Sequence, residues 1–313
     1  YGHNIVNKLK GEYAFTIIRL DKNNNYITFT CRDRIGVRPL FIGYNRNNCD
    51  YGICSEMKGL IEIFDEIEVF SPGTYLLTDN NSNDISENRY KKLLKSYYTY
   101  KENFDKNNFN NCSLKEIQAF IRNYLEKAVS DRLCSDRPVC SLLSGGLDSS
   151  LVSSIASKKL KEKNLKLYTF SIGMPGSTDE VYAKKVAKFI DSEHTVVNIS
   201  NEDALNSIKD VIWSTETYDI TTIRASIGQY LISKYISENT SYKVILSGDG
   251  SDEVTSGYIY NYLAPSLIDL HKEAVKRVKE IHLYDSLRAD RATSCHGLEL
   301  RVPFIDSDFV DLY

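Results

Sequence analysis

A short stretch of serine, glycine and aspartate, SGGLDSS at residues 144–150, has the residue types that hold phosphate. It follows an apolar run and opens another, so we expect a turn from a buried strand into a helix, where unpaired backbone N–H groups converge. Two glycines let the backbone approach an anion closely, and the hydroxyls add donors. No lysine follows as in a Walker A loop. Asp148 would be repelled by bare phosphate, so the motif also predicts a divalent cation.

A second stretch, LSGDGSDE at residues 246–253, repeats this design with more negative charge. Asp249, Asp252 and Glu253 lie within five residues and repel one another unless a cation or a substrate ammonium group lies among them. Two plainer interpretations stay open. The first stretch could be an ordinary capped turn, and the second could be a solvated acidic turn.

Charged residues also gather in two later segments. In ETYDITTIRAS, residues 216–226, Arg224 offers a bidentate fork for a carboxylate, and Thr221 and Thr222 suit a polar passage. The alternative is a helix start capped by Asp219. The segment LRADRATSCHGLELRVPFID is predicted to be mostly a structural ion network, with the roles of two members, Glu299 and Arg301, left open and with no catalytic role for His296. Its charged members are Arg288, Asp290, Arg291, Glu299, Arg301 and Asp306.

The elements that must position these residues change along the chain. Alternating Tyr, Ile, Thr and Phe in the first eighty residues predict antiparallel strands, at 13–20, 26–33, 41–45 and 73–79, with one short helix at 55–64. An Asn-rich stretch then predicts a linker. A capping box of Ser113 and Glu116 opens a helix. Alternating strands and helices after it predict a doubly wound parallel sheet, whose ligands lie at the carboxyl ends of the strands.

Composition excludes some classes of protein. The chain has 313 residues and a formal net charge of −3, so no basic excess indicates nucleic acid as a partner. No apolar run is long enough to span a membrane, and no signal-peptide pattern opens the chain. The seven cysteines form no CxxC pair, which predicts reduced, mostly buried thiols in a cytosolic protein.

Taken together, these motifs resemble the glutamine-hydrolysing asparagine synthetases. SGGLDSS is similar to the pyrophosphate loop of the ATP pyrophosphatases, and LSGDGSDE is similar to the companion loop of asparagine synthetases and the related β-lactam synthetases. Further matching segments occur in the same order along nearly the whole chain outside the Asn-rich stretch. They are RDRIGVRPLFIGY, SEMKGL, SPGTYLL, IGMPGS, ETYDITTIRAS and LRADRATSCHGLELRVPFID.

The resemblance implies an organisation and a reaction. Residues 1–80 would be the C-terminal part of an antiparallel glutamine amidotransferase domain of the N-terminal-nucleophile type. Residues 81–112 would be the linker, and 113–313 an ATP pyrophosphatase domain with the adenine nucleotide α-hydrolase-like fold. The implied ligase activity belongs to asparagine biosynthesis. Aspartate is adenylated by ATP to β-aspartyl-AMP with release of pyrophosphate, and ammonia, supplied by glutamine in the parent protein, then displaces AMP.

The resemblance also implies the site. It assigns Asp249, Arg224, Thr221 and Thr222 to catalysis, and Asp148 and Asp252 to Mg²⁺. The residues expected around ATP are Leu142, Ser144, Gly145, Gly146, Asp148, Ser149, Ile172, Ser247 and Gly248. The implied partners are aspartate, ATP and glutamine or ammonia, with no nucleic acid or membrane and a possible homodimer, in the cytosol.

The chain departs from the family pattern in several places. The matched segment starts after the family's N-terminal nucleophilic Cys and ends before a lysine-bearing segment, so we expect a partial chain without glutaminase activity and with impaired synthetase activity. Asp249 stands where the family usually has Glu, and Ser256-Gly257 replaces Gly-Gly. A non-catalytic ATP-binding homologue and a β-lactam-synthetase-like adenylating ligase are the alternatives.

Overall fold

The computed structural model describes residues 2–20, 22–23, 25–46, 50–79, 87–100 and 112–313. The chain divides into two compact units, each with its own core. They comprise Tyr1–Lys101 with Lys279–His282, and Glu102–Val278 with Leu283–Tyr313. The predicted boundaries at 80/81 and 112/113 stay predictions, because residues 80–86 and 101–111 lie outside the described part of the chain.

The first unit contains two antiparallel sheets, as the alternating pattern predicted. Their strand orders are β1-β2-β6-β7 and β4-β3-β5. The strands are β1 (Ala14–Leu20), β2 (Tyr26–Arg32), β3 (Phe41–Tyr44), β4 (Tyr51–Cys54), β5 (Glu66–Val69), β6 (Thr74–Asp79) and β7 (Lys95–Ser96). They are accompanied by α1 (Glu87–Leu93) and by 3₁₀ turns at Gly2–Asn7 and Met57–Gly59.

The short helix predicted at 55–64 is wrong. Only the 3₁₀ turn Met57–Gly59 forms there, followed by hydrogen-bonded turns to Phe64. The Phe64 ring lies against Gly43 and Gly52, where an added Cβ would come within 3 Å of the ring. Because Phe64 packs on the β4-β3-β5 sheet in this way, the segment turns instead of continuing as a helix.

Two buried charged residues, Arg32 and Asp33, organise the RDRIGVR segment of the first unit. The Arg32 guanidinium donates to the carbonyl oxygens of Gly36, Arg38 and Phe70 at 2.7–2.9 Å. The Asp33 carboxylate accepts from the backbone N–H groups of residues 35–38. The two side chains provide hydrogen-bond partners for the backbone N–H and carbonyl groups of the turn between β2 and β3. This part of the motif is therefore structural.

The second unit is built on a parallel sheet of strand order β10-β9-β8-β11-β12. The strands are β8 (Val139–Leu142), β9 (Tyr168–Gly173), β10 (Glu193–Asn198), β11 (Val244–Leu246) and β12 (Glu299–Arg301). Numbered from β8, the order is 3-2-1-4-5, which reverses between β8 and β11. The predicted doubly wound fold is therefore confirmed, and its ligand crevice is expected at the carboxyl ends of β8 and β11.

Helices cover this sheet in two sets. Helices α3 and α4 pack on β8 and β9, whereas α6 and α9 pack on β9 and β12. The helices are α2 (Leu114–Asp131), α3 (Leu147–Lys161), α4 (Thr178–Ile190), α5 (Asn201–Thr215), α6 (Ile220–Asn239), α7 (Ser251–Thr255), α8 (Leu267–Glu280), α9 (Asp285–Ser294) and α10 (Ser307–Leu312). Short 3₁₀ turns lie at Ile259–Leu263, Ile281–Leu283 and Pro303–Ile305.

The capping box predicted for α2 is present, with Ser113 and Glu116 bonded reciprocally.

The cysteine thiols are less buried than predicted. Cys31 and Cys140 are core residues, but Cys134 and Cys295 are exposed, and Cys49 lies outside the described residues. None of the helices in the described part of the chain has both the length and the apolar character needed to cross a bilayer.

Candidate functional site

The first turn, Ser144–Ser149, joins β8 to α3 and lies directly on α4. Gly145 has a φ of +84°, and a Cβ at this position would lie 2.5 Å from backbone atoms of Tyr182 and Ala183. Side chains rarely adopt this backbone conformation, and no space remains for one. Gly145 therefore lets the turn rest on the backbone of α4.

Hydroxyl groups hold the shape of the first turn. The Ser144 N–H donates to the Ser149 Oγ at 3.2 Å, and the Gly146 N–H donates to the Ser144 Oγ at 3.3 Å. Gly146 is the N-cap of α3 and has no side chain with which to cap it. The first amides of this 15-residue helix are therefore left to bind an anion.

The second turn, Ser247–Asp252, joins β11 to α7 and touches the first turn. A Cβ on Gly248 would lie 2.7 Å from the Ser149 nitrogen and 2.9 Å from the Asp148 carbonyl carbon. Only glycine permits this backbone approach. The two turns lie side by side at the tips of neighbouring strands, as predicted.

Asp249 in the second turn has polar neighbours on both carboxylate oxygens. Its Oδ2 accepts from the Ser247 Oγ at 2.6 Å and from the Gln229 Nε2 at 3.3 Å. Its Oδ1 lies 3.6 Å from Nη2 of Arg288. The carboxylate is therefore held in one orientation at the edge of the crevice.

Arg288 on α9 joins this group to a second carboxylate. Its Nε and Nη2 both lie 2.8 Å from the Asp285 Oδ1, and its Nη1 donates to the Gln229 Oε1 at 3.2 Å. Burial lowers the pKa of Arg288, but the carboxylates of Asp249 and Asp285 raise this pKa by a larger amount. The net shift is therefore upward. The guanidinium charge is thus shared between two protein carboxylates.

Burial and nearby carboxylates disfavour ionisation of the acidic residues that follow Asp249. Burial and the charges of Asp148 and Asp285 raise the pKa of Asp252. Burial raises the pKa of Glu253 to about 7, with the Asp285 charge adding to this and a hydrogen bond from the Tyr258 hydroxyl opposing it. An additional positive charge at this place would stabilise the ionised carboxylates.

A cavity of about 400 Å³ lies between the two turns, within the range of roughly 300–1,000 Å³ common for small-molecule sites. It brings together nine of the residues expected from sequence. They are Leu142, Ser144, Gly146, Asp148, Ser149, Ser247, Gly248, Asp249 and Asp252.

Gly145 and Ile172 do not line this cavity, although they were expected around the nucleotide. Gly145 lies on the side of the first turn that contacts α4. Ile172 is on β9 beside α6, with its Cγ2 3.7 Å from where a Cβ on Gly228 would be. Their contact with a nucleotide stays a prediction.

Thr221, Thr222 and Arg224 also lie outside the cavity lining. They are in the first turn of α6, where the Thr222 N–H donates to the capping Asp219 carboxylate at 2.8 Å. The helix instead contributes Ala225 and Gln229 to the cavity wall. The predicted capping alternative is therefore present, and binding of a substrate carboxylate by Arg224 stays a prediction.

Sequence reasoning missed part of the cavity wall. Gln229, Tyr258 and Asp285 were not singled out, and Arg288 was expected to be structural. A partial signal existed for Gln229, because it lies four residues after Ala225 and so shares one face of the predicted helix with it. Asp285 and Arg288 come from α9, which no local motif places beside the second turn.

Three of the other charged residues of the 287–306 segment, Glu299, Arg301 and Asp306, lie in structural pairs. Arg301 donates to the Glu299 carboxylate at 2.7 Å and to two backbone carbonyls. Asp306 pairs with Arg132 at 2.8 Å. Both pairs involve residues outside the cavity lining, as expected for an ion network under the fold.

The residues present fit a magnesium nucleotide. The uncapped start of α3 and the close glycine turns suit phosphate, and Asp148 and Asp252 are neighbouring carboxylates whose repulsion a divalent cation would relieve. Within the described ranges, no three carboxylate, imidazole or thiol groups form a metal site by themselves. A cation held by these two aspartates would take further ligands from phosphate and water.

Comparison with known families gives two matches. The asparagine synthase family matches residues 121–269 and 265–313, which together contain the whole cavity lining. A glutamine amidotransferase domain family matches residues 1–62.

Individual relatives match along almost all of this chain. The glutamine-hydrolysing asparagine synthetases of Mesocricetus auratus and Gallus gallus are each 44% identical over 321 residues, which cover 97% of this chain and 56% of the relative. The Homo sapiens protein of the same name is 42% identical over 319 residues, with the same coverage. The chain thus spans a little over half the length of these relatives.

Proposed function

The chain belongs to the asparagine synthase family, and we propose that its cavity converts L-aspartate to L-asparagine at the expense of ATP. The contact of the two glycine turns carries this proposal. Gly248 meets the backbone of Asp148 and Ser149 at the point where the strand order reverses. Such a crevice, with the uncapped amides of α3 on one side, suits a nucleotide triphosphate.

The proposed reaction has two steps. A β-carboxylate oxygen of aspartate attacks the α-phosphorus of ATP, so a C–O–P bond forms, the bond to the β-phosphate oxygen breaks, and pyrophosphate leaves. The nitrogen of ammonia then attacks the activated acyl carbon, loses a proton, and displaces AMP. Activation of the carboxylate makes AMP a good leaving group.

Different side chains of the cavity would support these steps. The amides and hydroxyls of the first turn would bind the phosphates. Asp148 and Asp252 would hold Mg²⁺, which neutralises charge on the departing pyrophosphate when it is bound. Asp249 would face the reacting groups, held by the hydrogen bond from the Ser247 hydroxyl.

Helix α6 would position the second substrate. Arg224, Thr221 and Thr222 would contact aspartate from the start of the helix, where the threonines lie about one turn before the cavity residue Ala225 and Arg224 is adjacent to it in sequence. The match of residues 1–62 to a glutamine amidotransferase domain supports glutamine as the nitrogen donor. A homodimer and a cytosolic location stay predictions.

Oxygen transfer distinguishes this reaction from other uses of ATP. The protein is incubated with Mg²⁺-ATP, ammonium and aspartate labelled with ¹⁸O in the β-carboxylate, and the nucleotide products are examined by mass spectrometry. We expect AMP that carries one ¹⁸O, because the C–O bond of the adenylate breaks on the acyl side. Formation of ADP, or unlabelled AMP that forms without aspartate, would contradict the proposal.

A further inference from the structure

Gln229 is a buried polar residue in the wall of the cavity, and no motif assigns it a role. It lies on α6 with 9% of its surface exposed. A glutamine amide has two donor hydrogens and an acceptor oxygen, and burying it without partners is unfavourable. Its partners therefore indicate what it does at this place.

Both ends of the Gln229 amide bind charged residues of the site. Its Nε2 donates to the Asp249 Oδ2 at 3.3 Å, and its Oε1 accepts from the Arg288 Nη1 at 3.2 Å. A carboxylate only accepts and a guanidinium only donates, so these partners determine the orientation of the amide. Reversal of the amide would place like groups against each other at both ends.

The amide spans a gap that the two charged groups do not close themselves. The Arg288 Nη2 and the Asp249 Oδ1 are 3.6 Å apart, which is beyond hydrogen-bond distance. Arg288 is also held by Asp285 at 2.8 Å. Asp249 therefore depends on Ser247 and Gln229 for its hydrogen bonds from side chains.

We propose that Gln229 is a positioning residue: its amide holds the Asp249 carboxylate and the Arg288 guanidinium at a fixed separation, with Asp249 turned to the cavity. This inference rests on the proposed function, because it concerns the same site. An Asp at position 249 has one methylene fewer than a Glu, and the amide bridges the distance that the shorter side chain leaves.

The test is the substitution Gln229→Met, which keeps length and volume but removes both hydrogen bonds. We expect kcat for aspartate-dependent AMP formation to fall roughly 10- to 100-fold, because small misplacements of reacting groups have effects of this size. The KM for ATP should change by less than about twofold, since the phosphate-binding turns are untouched. The matched control is Gln118→Met, the same change at the other glutamine of the chain, which is exposed. It should leave kcat and the KM for ATP as in the wild type.

A second change in the same site tests the bridging role. Adding Asp249→Glu to the Gln229→Met variant lengthens the carboxylate toward Arg288, and we expect it to restore part of the lost kcat. Three results would overturn the inference: Gln229→Met with wild-type kcat, a loss of ATP affinity as large as the loss of kcat, or no recovery in the double variant. A wild-type protein that forms no AMP with aspartate would instead refute the proposed function, and this inference with it.

Discussion

The two turns at the tips of β8 and β11 look alike in sequence but work differently. The first turn uses its main chain, with Gly145 seated on α4 and the amides of the 15-residue helix α3 uncapped. The second turn leads into α7, which has only five residues, and uses side chains, with Asp249 held by Ser247 and Gln229. The elements around a Ser-Gly turn thus decide whether it presents backbone amides or side-chain carboxylates to the cavity.

The largest effect is expected at the first turn, for Gly145→Ala. The left-handed conformation costs roughly 1–2 kcal/mol for a residue with a side chain, and overlap with the backbone of Tyr182 and Ala183 should raise the loss of unfolding free energy to about 3 kcal/mol or more. Mg²⁺-ATP affinity should fall with it. Both are measured by denaturant unfolding and calorimetry.

Gly176→Ala is the matched control for this change. Gly176 has a φ of +77° with nothing within 4 Å of an added Cβ, so only the conformational cost applies. Equal losses in the two variants would show that the seating of the first turn on α4 is unimportant.

Gly248→Ala tests the contact between the turns and should have the next largest effect. Its Cβ would meet the Ser149 nitrogen at 2.7 Å, so the turns must separate. We expect the Kd for Mg²⁺-ATP to rise about 30-fold, which corresponds to about 2 kcal/mol. Gly228→Ala, where an added Cβ meets only Ile172 at an ordinary 3.7 Å, is the control. An unchanged Kd for Mg²⁺-ATP in Gly248→Ala would show that the second turn does not contribute to nucleotide binding.

The carboxylates of the second turn are tested by Asp252→Asn. The substitution removes the charge of one of the two carboxylates proposed to bind the cation. The half-saturating Mg²⁺ concentration should therefore rise about tenfold, which corresponds to about 1.4 kcal/mol of binding free energy. Asp136→Asn, an exposed residue near the opposite ends of the strands, should not change it. An unaltered Mg²⁺ requirement in Asp252→Asn would exclude a role for this carboxylate in metal binding.

The smallest effect is a gain, expected for Ser256→Gly just beyond α7. Ser256 has a φ of +57°, and glycine adopts this conformation without strain. We expect the melting temperature to rise, for a gain of about 1 kcal/mol in unfolding free energy. Ser130→Gly within α2 should instead lose stability, by about 0.5 kcal/mol. A loss in both variants would contradict this account of the second turn.

Sequence was sufficient where local pattern and backbone geometry coincide. The strand-turn-helix units and the capping box of α2 follow from residue spacing, and the approach of Gly248 to Asp148 and Ser149 follows from the parallel sheet. The failures have a tertiary cause. The 55–64 segment turns because Phe64 packs on Gly43 and Gly52, which lie on β3 and β4 outside the predicted helix.

The missed half of the site shows the same limit. Arg288 and Asp285 reach the second turn from α9, about 40 residues farther along the chain, and only the packing of α9 against α6 places them there. Conversely, Arg224 and the two threonines have suitable chemistry, but capping by Asp219 fixes them at a helix start outside the cavity. Residue type suggests what each side chain could bind, whereas packing decides which residues share a cavity.

The central claim is that both turns hold one metal nucleotide, and a crystal structure with a non-hydrolysable ATP analogue and Mn²⁺ tests it most directly. The account predicts a Mn²⁺ anomalous peak within ligand distance of Asp148 and Asp252, with phosphate oxygens bonded to amides of residues 144–149. A nucleotide bound away from these residues, or a metal with neither aspartate as a ligand, would contradict it.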